Sequence, residues 1–76
     1  MSELQWLDIF GDNLARMMVE ENMTQRELAD LSGLGEATIS RFVNKQMIPS
    51  LRAVINLSYA LHCTVDELVD FGEMMR

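Results

Sequence analysis

The 76-residue sequence predicts an all-α domain, a compact bundle of five short helices. Two observations support this prediction: apolar residues recur at the three-and-four spacing of a helix face, and capping residues and glycines separate the segments in which they recur. No segment alternates between polar and apolar residues as a half-buried strand does. Because 76 residues can bury only one small core, we expect a single domain over residues 1–76.

The first predicted helix has apolar residues at helical spacing and ends at Asn22, a residue type that tolerates the left-handed conformation of a helix exit. Methionines are frequent here, and Met17, Met18 and Met23 occupy apolar positions where core packing is the simplest interpretation. The apolar positions of this helix are Trp6, Ile9, Phe10, Leu14, Met17 and Met18.

A capping box begins the second predicted helix. Thr24 and Glu27 are three residues apart, so each side chain can satisfy a free backbone amide and the helix opens at Gln25. The helix must stop near Ser32, because Gly33 readily takes the positive φ that ends helices. Its expected inward-facing residues are Leu28, Ala29 and Leu31.

Residues 33–35 alone separate this helix from the next apolar pattern, Glu36 to Val43. A turn this short, with two glycines, lets two short helices cross steeply. The sequence therefore predicts a helix-turn-helix over Thr24–Val43, in which Ile39 and Phe42 face the core.

Two further start signals predict the remaining helices. Pro49 and Ser50, a good N-cap, precede the fourth helix, and a second capping box, Thr64 with Glu67, opens the fifth. The fifth helix is expected to stop at Gly72. The apolar positions are Leu51, Val54, Ile55, Leu57, Ala60 and Leu61 in the fourth helix, and Leu68, Val69 and Phe71 in the fifth.

Catalytic and metal-binding residue types are scarce. Cys63 is the only cysteine and His62 the only histidine, so there is no disulfide framework, thiolate metal cluster or Ser/His/Asp grouping. We interpret Cys63 as a small buried residue and His62 as a helix-exit residue. The amino terminus has neither the basic region of a signal peptide nor a run long enough to span a membrane. We expect a cytoplasmic protein that is not an enzyme and binds no cofactor, metal, small-molecule ligand or membrane.

Five short runs occur in order along the chain: Met23–Ala29, Ser32–Leu34, Ala37–Phe42, Pro49–Leu51 and Val65–Leu68. With this order and spacing, the residues from about Phe10 to Val69 resemble the lambda-repressor-like Xre/Cro class of helix-turn-helix DNA-binding domains. The resemblance implies a compact five-helix lambda-repressor-like fold. It also implies a sequence-specific transcriptional regulator, with repression as the expected effect, that binds double-stranded operator DNA at a palindromic site.

The resemblance implies that Glu36–Val43 is the recognition helix, which enters the major groove. Arg41 is the first candidate for base contact, because its planar fork of donors suits guanine N7 and O6. Glu36 can accept from cytosine N4, although the helix dipole alone also favours a carboxylate there. The candidate base contacts are Glu36, Ala37, Thr38, Ser40 and Arg41.

The resemblance also places Gln25 beside the phosphate backbone, where an uncharged donor and free helix amides can hold a phosphate. Thr24 can share this role, although capping alone explains it adequately. For the residues after the recognition helix, ordinary solvated surface is the alternative interpretation. The candidate phosphate contacts are Thr24, Gln25, Arg26, Asn44, Lys45 and Arg52.

Two positions depart from the pattern of the class. Lys45 stands where a glycine often follows the asparagine, so Asn44 is expected to take the left-handed conformation instead. Met18 and Val43 stand where many members have an arginine and an acid that pair. We expect apolar packing to replace this ion pair, a change that is often neutral or stabilising because no charge is desolvated.

The formal net charge of −6 opposes nonspecific adhesion to DNA, which depends on neutralising phosphates. Residues 24–52 contain four basic and three acidic residues, a net charge of +1, and the remainder has a net charge of −7. We expect the acids to lie on the first and last helices, away from the DNA-binding face, and the salt dependence to be shallow. The alternative function is a protein–protein interaction module of antitoxin or anti-regulator type, which would bind no DNA even at low salt.

A homodimer is expected, because one recognition helix covers only a few base pairs and members of the class usually act as twofold dimers. An apolar tail within residues 65–76 is the expected interface, since a monomer of this size can hardly bury it. The alternative is that this tail packs back on the first helix. The expected interface residues are Leu68, Val69, Phe71, Met74 and Met75.

Overall fold

The computed structural model describes residues 2–70, which form five helices and no strand. The first helix contacts the third and fifth, the second contacts the third and fourth, and the fourth contacts the fifth. The predicted all-α class is confirmed. None of the helices in this range combines the length and hydropathy that a membrane crossing needs. In chain order the helices are α1 Glu3–Glu20, α2 Gln25–Ser32, α3 Glu36–Val43, α4 Leu51–Ala60 and α5 Val65–Val69.

Side-chain caps fix most of the helix starts. In both predicted capping boxes, Thr24 and Thr64 accept a hydrogen bond from the amide three residues later at 3.1 Å, and the glutamate there accepts one in return. The hydrogen bonds from the Thr24 amide and hydroxyl hold the pKa of Glu27 below its usual value. A third box, Ser2 with Gln5, begins α1 and was not predicted from the sequence.

Three helices end in one hydrogen-bonding pattern. A residue with positive φ follows the cap, and two backbone amides donate back to carbonyls three and five residues earlier, as in the Schellman motif. The positive-φ residues are Asn22 after α1, Lys45 after α3 and His62 after α4, with φ of 52°, 63° and 54°. Gly33 ends α2 with φ of 74°. The predicted helix exits at Asn22, Gly33 and His62 are thus confirmed.

A single core lies between the helices. Met17 and Met18 are buried and Met23 packs half-buried against them, which confirms the core interpretation of these methionines. Cys63 also packs half-buried against the core, and this burial raises the pKa of its thiol. The largest fully buried side chains are Phe10, Leu14, Leu28, Ile39, Leu57, Leu61 and Leu68.

Two helix details differ from expectation. The Leu31 side chain is 64% exposed rather than inward-facing, because the last turn of α2 buries Ser32 instead. Helix α5 ends at Val69, and Asp70 is already extended, so the predicted stop at Gly72 is too late. Phe71 and Gly72 themselves lie outside the described residues.

Leu68 corrects one part of the predicted dimer interface. Its side chain is 0% exposed within a single chain and therefore offers no surface to a partner. The buried amide of Asn13 in α1 donates hydrogen bonds to the carbonyl oxygens of Leu68 at 2.9 Å and Asp70 at 3.0 Å, which ties the end of α5 to α1. Val69 is half-buried, and the other expected interface residues, Phe71, Met74 and Met75, lie outside the described residues.

Candidate nucleic-acid interface

The turn between α2 and α3 has the predicted length and conformation. Gly33 is left-handed, and no atom lies within 4 Å of the Cβ that another residue would add, so glycine is needed for conformation rather than space. The Leu34 amide donates to the Ser32 hydroxyl at 3.3 Å. Gly35 is extended and precedes α3 without a side-chain cap. The chain therefore reverses sharply and starts a second helix at once.

Helix α3 is anchored along one side. Ile39 is 0% and Phe42 2% exposed, as predicted, and the Phe42 ring meets the Phe10 ring edge to face with centroids 5.8 Å apart. Because the inward side is filled by apolar contacts, the outward side of α3 is held in a fixed orientation. The predicted base contacts lie outside this buried side: Glu36, Ala37 and Arg41 are exposed, and Thr38 and Ser40 are half-buried.

Arg41 has its donors available. Within residues 2–70 the ion pairs are Arg16 with Glu20, and Lys45 with two aspartates, so the Arg41 guanidinium is unpaired. The same holds for Arg26 at the start of α2 and Arg52 in the first turn of α4. All three arginines are exposed and can meet an external acceptor without breaking an internal contact.

The start of α2 lies beside the end of α3. Gln25, half-buried, lines an open cleft together with Met18 and Val43. Met18 is 8% exposed and Val43 packs half-buried against the core, so apolar packing occupies the place where the class often has an ion pair. Thr24 is engaged as the N-cap, with its oxygen accepting from the Glu27 amide.

Lys45 takes the left-handed conformation that the sequence predicted for Asn44. Asn44 has φ of −85° and Lys45 has φ of 63°, so the expectation for Asn44 was wrong. The reason is the hydrogen-bond pattern: the Lys45 amide donates to Phe42 and the Gln46 amide to Arg41, which puts Lys45 at the left-handed position. The Asn44 side chain instead donates to the Ser40 hydroxyl at 3.2 Å.

The ammonium group of Lys45 lies beside two aspartates of α1. Its Nζ lies 2.9 Å from Asp12 Oδ1 and 3.8 Å from Asp8 Oδ1, and the Asp12 carboxylate raises the pKa of Lys45. Gly11 makes this approach possible, since a Cβ there would lie 2.8 Å from Lys45 Cγ and 3.0 Å from the Phe42 carbonyl oxygen. The expectation that the acids of α1 lie away from the candidate interface is therefore wrong for these two aspartates.

The ion pairs of Asp8 and Asp12 were not predicted, because the sequence alone does not show which basic residue lies beside them. Asp8 and Asp12 are four residues apart, a spacing that places both on one face of a helix. That spacing shows a paired acidic face but not which basic residue it meets. Only the packing of α3 on α1 brings Lys45 to it.

A tight turn between two helices, the second anchored on one side and exposed on the other, defines a helix-turn-helix DNA-binding domain. Residues 13–73 match the family model of the Cro/C1-type helix-turn-helix DNA-binding domain. The chain belongs to this family, and the resemblance inferred from the sequence is confirmed. The protein is a DNA-binding regulator of the helix-turn-helix type.

Solved structures agree with this assignment. The restriction-modification controller protein C.AhdI from Aeromonas hydrophila is 31% identical, with a TM-score of 0.79 over 82% of this chain and 94% of that chain. A hypothetical transcription factor from Neisseria, NHTF, shares the fold at 22% identity, with a TM-score of 0.77 over 91% of this chain and 79% of that chain. No sequence among the curated proteins matches the chain.

Proposed function

We propose that the protein is a sequence-specific transcriptional repressor that binds a palindromic operator as a homodimer. The observation that supports this most strongly is that α3 is fixed by Ile39 and Phe42, while Arg41 is exposed and has no ion pair among residues 2–70. A rigid helix with a free guanidinium suits readout of a base edge in the major groove. The similarity to C.AhdI favours a controller of restriction-modification genes as one such role.

Base readout is assigned to the outward side of α3. Arg41 would form two hydrogen bonds to guanine, a contact that gives about 1–3 kcal/mol of discrimination against other bases. Ala37 and the Thr38 methyl would contact a thymine methyl, and Ser40 either acceptor or donor. Glu36 would accept from cytosine, although its place in the first turn of α3 also suits the helix dipole alone.

Phosphate contacts are assigned to the start of α2 and to the residues after α3. Gln25 with Thr24, and the exposed Arg26, would hold one phosphate near free amides of the first helical turn. Asn44 and Arg52 are exposed and would hold others. Lys45 would contribute less than a free lysine, because its ammonium group already pairs with Asp12 and Asp8.

The experiment that tests this function begins with DNA selected from a random pool by the full-length protein. The affinity of wild type and of Arg41→Ala is then measured for the selected site and for each single-base variant of it. We expect Arg41→Ala to lose its preference at one guanine in each half-site and to keep the others. Arg16→Ala is the matched control, because it removes the same charge from α1, where Arg16 pairs with Glu20.

An unchanged preference in Arg41→Ala would remove Arg41 from the base contacts. Absence of any selected sequence at low salt would instead favour the alternative function, an interaction module for another protein on the same scaffold. The net charge of −6 and the aspartates beside Lys45 are the observations that favour this alternative.

A further inference from the structure

The end of α1 carries charges that its own helix disfavours. The carbonyl end of a helix is partially negative, so basic side chains are stabilising there and carboxylates are not. The last turn of α1 has no basic residue, yet the helix ends at Glu20 and its C-cap is Glu21, and both are exposed. Within residues 2–70 Glu21 has no ion pair, and Glu20 pairs only with Arg16, at 4.0 Å. The end of α1 is therefore a negative surface that invites an external cation.

An apolar cleft of about 350 Å³ opens beside this negative surface. It lies between the end of α1, the start of α2 and the end of α3. Val19 is 80% exposed at its wall, and its two methionines are flexible side chains that fit partners of varied shape. We call it the α1–α2 cleft, and its lining residues are Ala15, Met18, Val19, Asn22, Met23, Thr24, Gln25 and Val43.

The charge beside the α1–α2 cleft selects against two occupants. DNA is a polyanion, which Glu20 and Glu21 repel, and the apolar wall offers nothing to a phosphate. A second copy of the chain has the same net charge of −6 and would cover Gln25 on the DNA-binding side. Charge complementarity therefore favours an occupant that is basic and is not this chain.

The occupant must also be longer than the α1–α2 cleft. Glu20 and Glu21 lie between the lining residues Val19 and Asn22 in sequence but do not line the cleft themselves. A molecule that both fills the cleft and pairs with these carboxylates extends beyond it. An amphipathic helix does both, because apolar side chains one turn apart enter the cleft while flanking lysines or arginines meet the carboxylates. This favours a segment of another protein over a small molecule.

We propose that the α1–α2 cleft docks a basic amphipathic helix of another protein, and that this docking and DNA binding exclude each other. The exclusion rests on the proposed function, in which Thr24 and Gln25 hold a phosphate, because both residues line the cleft. An occupant of the cleft covers these phosphate contacts and so releases the protein from its operator. The docking itself does not depend on DNA binding.

Calorimetric titration of the full-length protein without DNA tests the docking. The probe is a synthetic helical peptide of about 14 residues, or four turns, with leucines on one side and lysines on the other. We expect wild type to bind it and Val19→Ser to bind it about fivefold more weakly, with an unchanged circular dichroism spectrum. Leu4→Ser is the matched control, since Leu4 is 74% exposed on α1 outside the cleft. Equal affinity of wild type and Val19→Ser would overturn the proposal.

The same titration tests the charge of the partner. Glu20→Gln/Glu21→Gln should weaken binding of the lysine peptide about fivefold at low salt, because two partners of its lysines are removed. The control is Glu3→Gln/Asp66→Asn, which removes the same number of charges away from the cleft and should change the affinity less. A peptide with glutamates in place of the lysines should not bind. If it binds equally well, the cleft is a purely apolar site and a basic partner is refuted.

A covalent occupant tests the exclusion of DNA. In a Cys63→Ser background, the Val19→Cys thiol is labelled with N-benzylmaleimide, which places an aromatic group at the cleft. We expect the label to lower the affinity for the selected DNA site about tenfold, whereas the same label on Leu4→Cys has no effect. Equal DNA affinity of labelled and unlabelled Val19→Cys would refute the exclusion.

The two experiments separate docking from the proposed function. A protein that selects no DNA but binds the lysine peptide through Val19 and the carboxylates would refute the proposed function and support the docking site. A protein that selects DNA through Arg41 but binds the peptide equally well in all variants would refute the docking site and support the proposed function.

Discussion

Replacing the two aspartates that hold Lys45 should strengthen DNA binding and make it more sensitive to salt. In Asp8→Asn/Asp12→Asn the Lys45 ammonium loses partners at 3.8 Å and 2.9 Å and becomes free to contact a phosphate. Each added phosphate contact changes the slope of log affinity against log salt by about −0.9. Between 50 and 200 mM salt, this slope means an extra loss of about 3.5-fold per subunit, or about twelvefold for a dimer.

Fluorescence anisotropy with the selected DNA site at four or more salt concentrations measures this slope. The control is Glu3→Gln/Asp66→Asn, which removes two charges at exposed positions of α1 and α5 that form no ion pair with another residue of 2–70. Adding Lys45→Met to the Asp8/Asp12 variant should restore the wild-type slope. An unchanged slope in Asp8→Asn/Asp12→Asn, with DNA binding intact, would show that these aspartates do not withhold Lys45 from the backbone.

Three further predictions concern stability and reactivity. Thr24→Ala removes the cap of α2 and should lower the free energy of unfolding by about 1 kcal/mol in urea titrations. Thr64→Ala should do the same at the start of α5, and no loss in either variant would mean that the caps are dispensable. Leu68→Ala should lower the free energy of unfolding by about 2–5 kcal/mol, because it opens a cavity in the core. A stable variant with an altered oligomeric state would show instead that Leu68 belongs to the dimer interface. Burial raises the pKa of Cys63. Near pH 8.5 its thiol should therefore react with a disulfide reagent more slowly in the folded chain than in urea. Equal rates would contradict the burial of the thiol.

The helices and their ends were predictable because their signals are local. Each capping box requires two side chains only three residues apart, and the Gly33 turn requires one residue that tolerates positive φ. The buried side of α3 was equally readable, since Ile39 and Phe42 follow the period of a single helix. Such features are encoded within one turn of the chain, so no knowledge of the fold is needed to find them.

The features that sequence reasoning missed depend on contacts between distant residues. The salt bridges of Lys45 join α1 to the end of α3, and Asn13 donates to the carbonyl of Leu68, 55 residues away. Residue preference favoured Asn44 as the left-handed residue, but backbone hydrogen bonds determined that Lys45 takes this conformation. Leu68 was assigned to a partner because its burial under α1 and α4 could not be seen from a five-residue helix.

In the candidate site, too, the local features were predictable from the sequence and the contacts between distant residues were not. The sequence identified Arg41 as the first candidate for base contact, and within residues 2–70 the structure gives Arg41 no ion pair. The charge around the site was not predictable, because Asp8 and Asp12 are far from Lys45 in sequence and adjacent to it in space. Their two carboxylates therefore lie beside the one ammonium group of Lys45, in a region whose own net charge is only +1.

Selection of DNA by the wild-type protein from a random pool tests the central claim most directly, namely that α3 reads sequence in a twofold pair. We expect two inverted half-sites whose centres lie about 10 base pairs apart, or a whole multiple of one helical turn, each containing a guanine preferred by Arg41. A pool that shows no enrichment at low salt, or a single unpaired half-site bound equally well by Arg41→Ala, would contradict it.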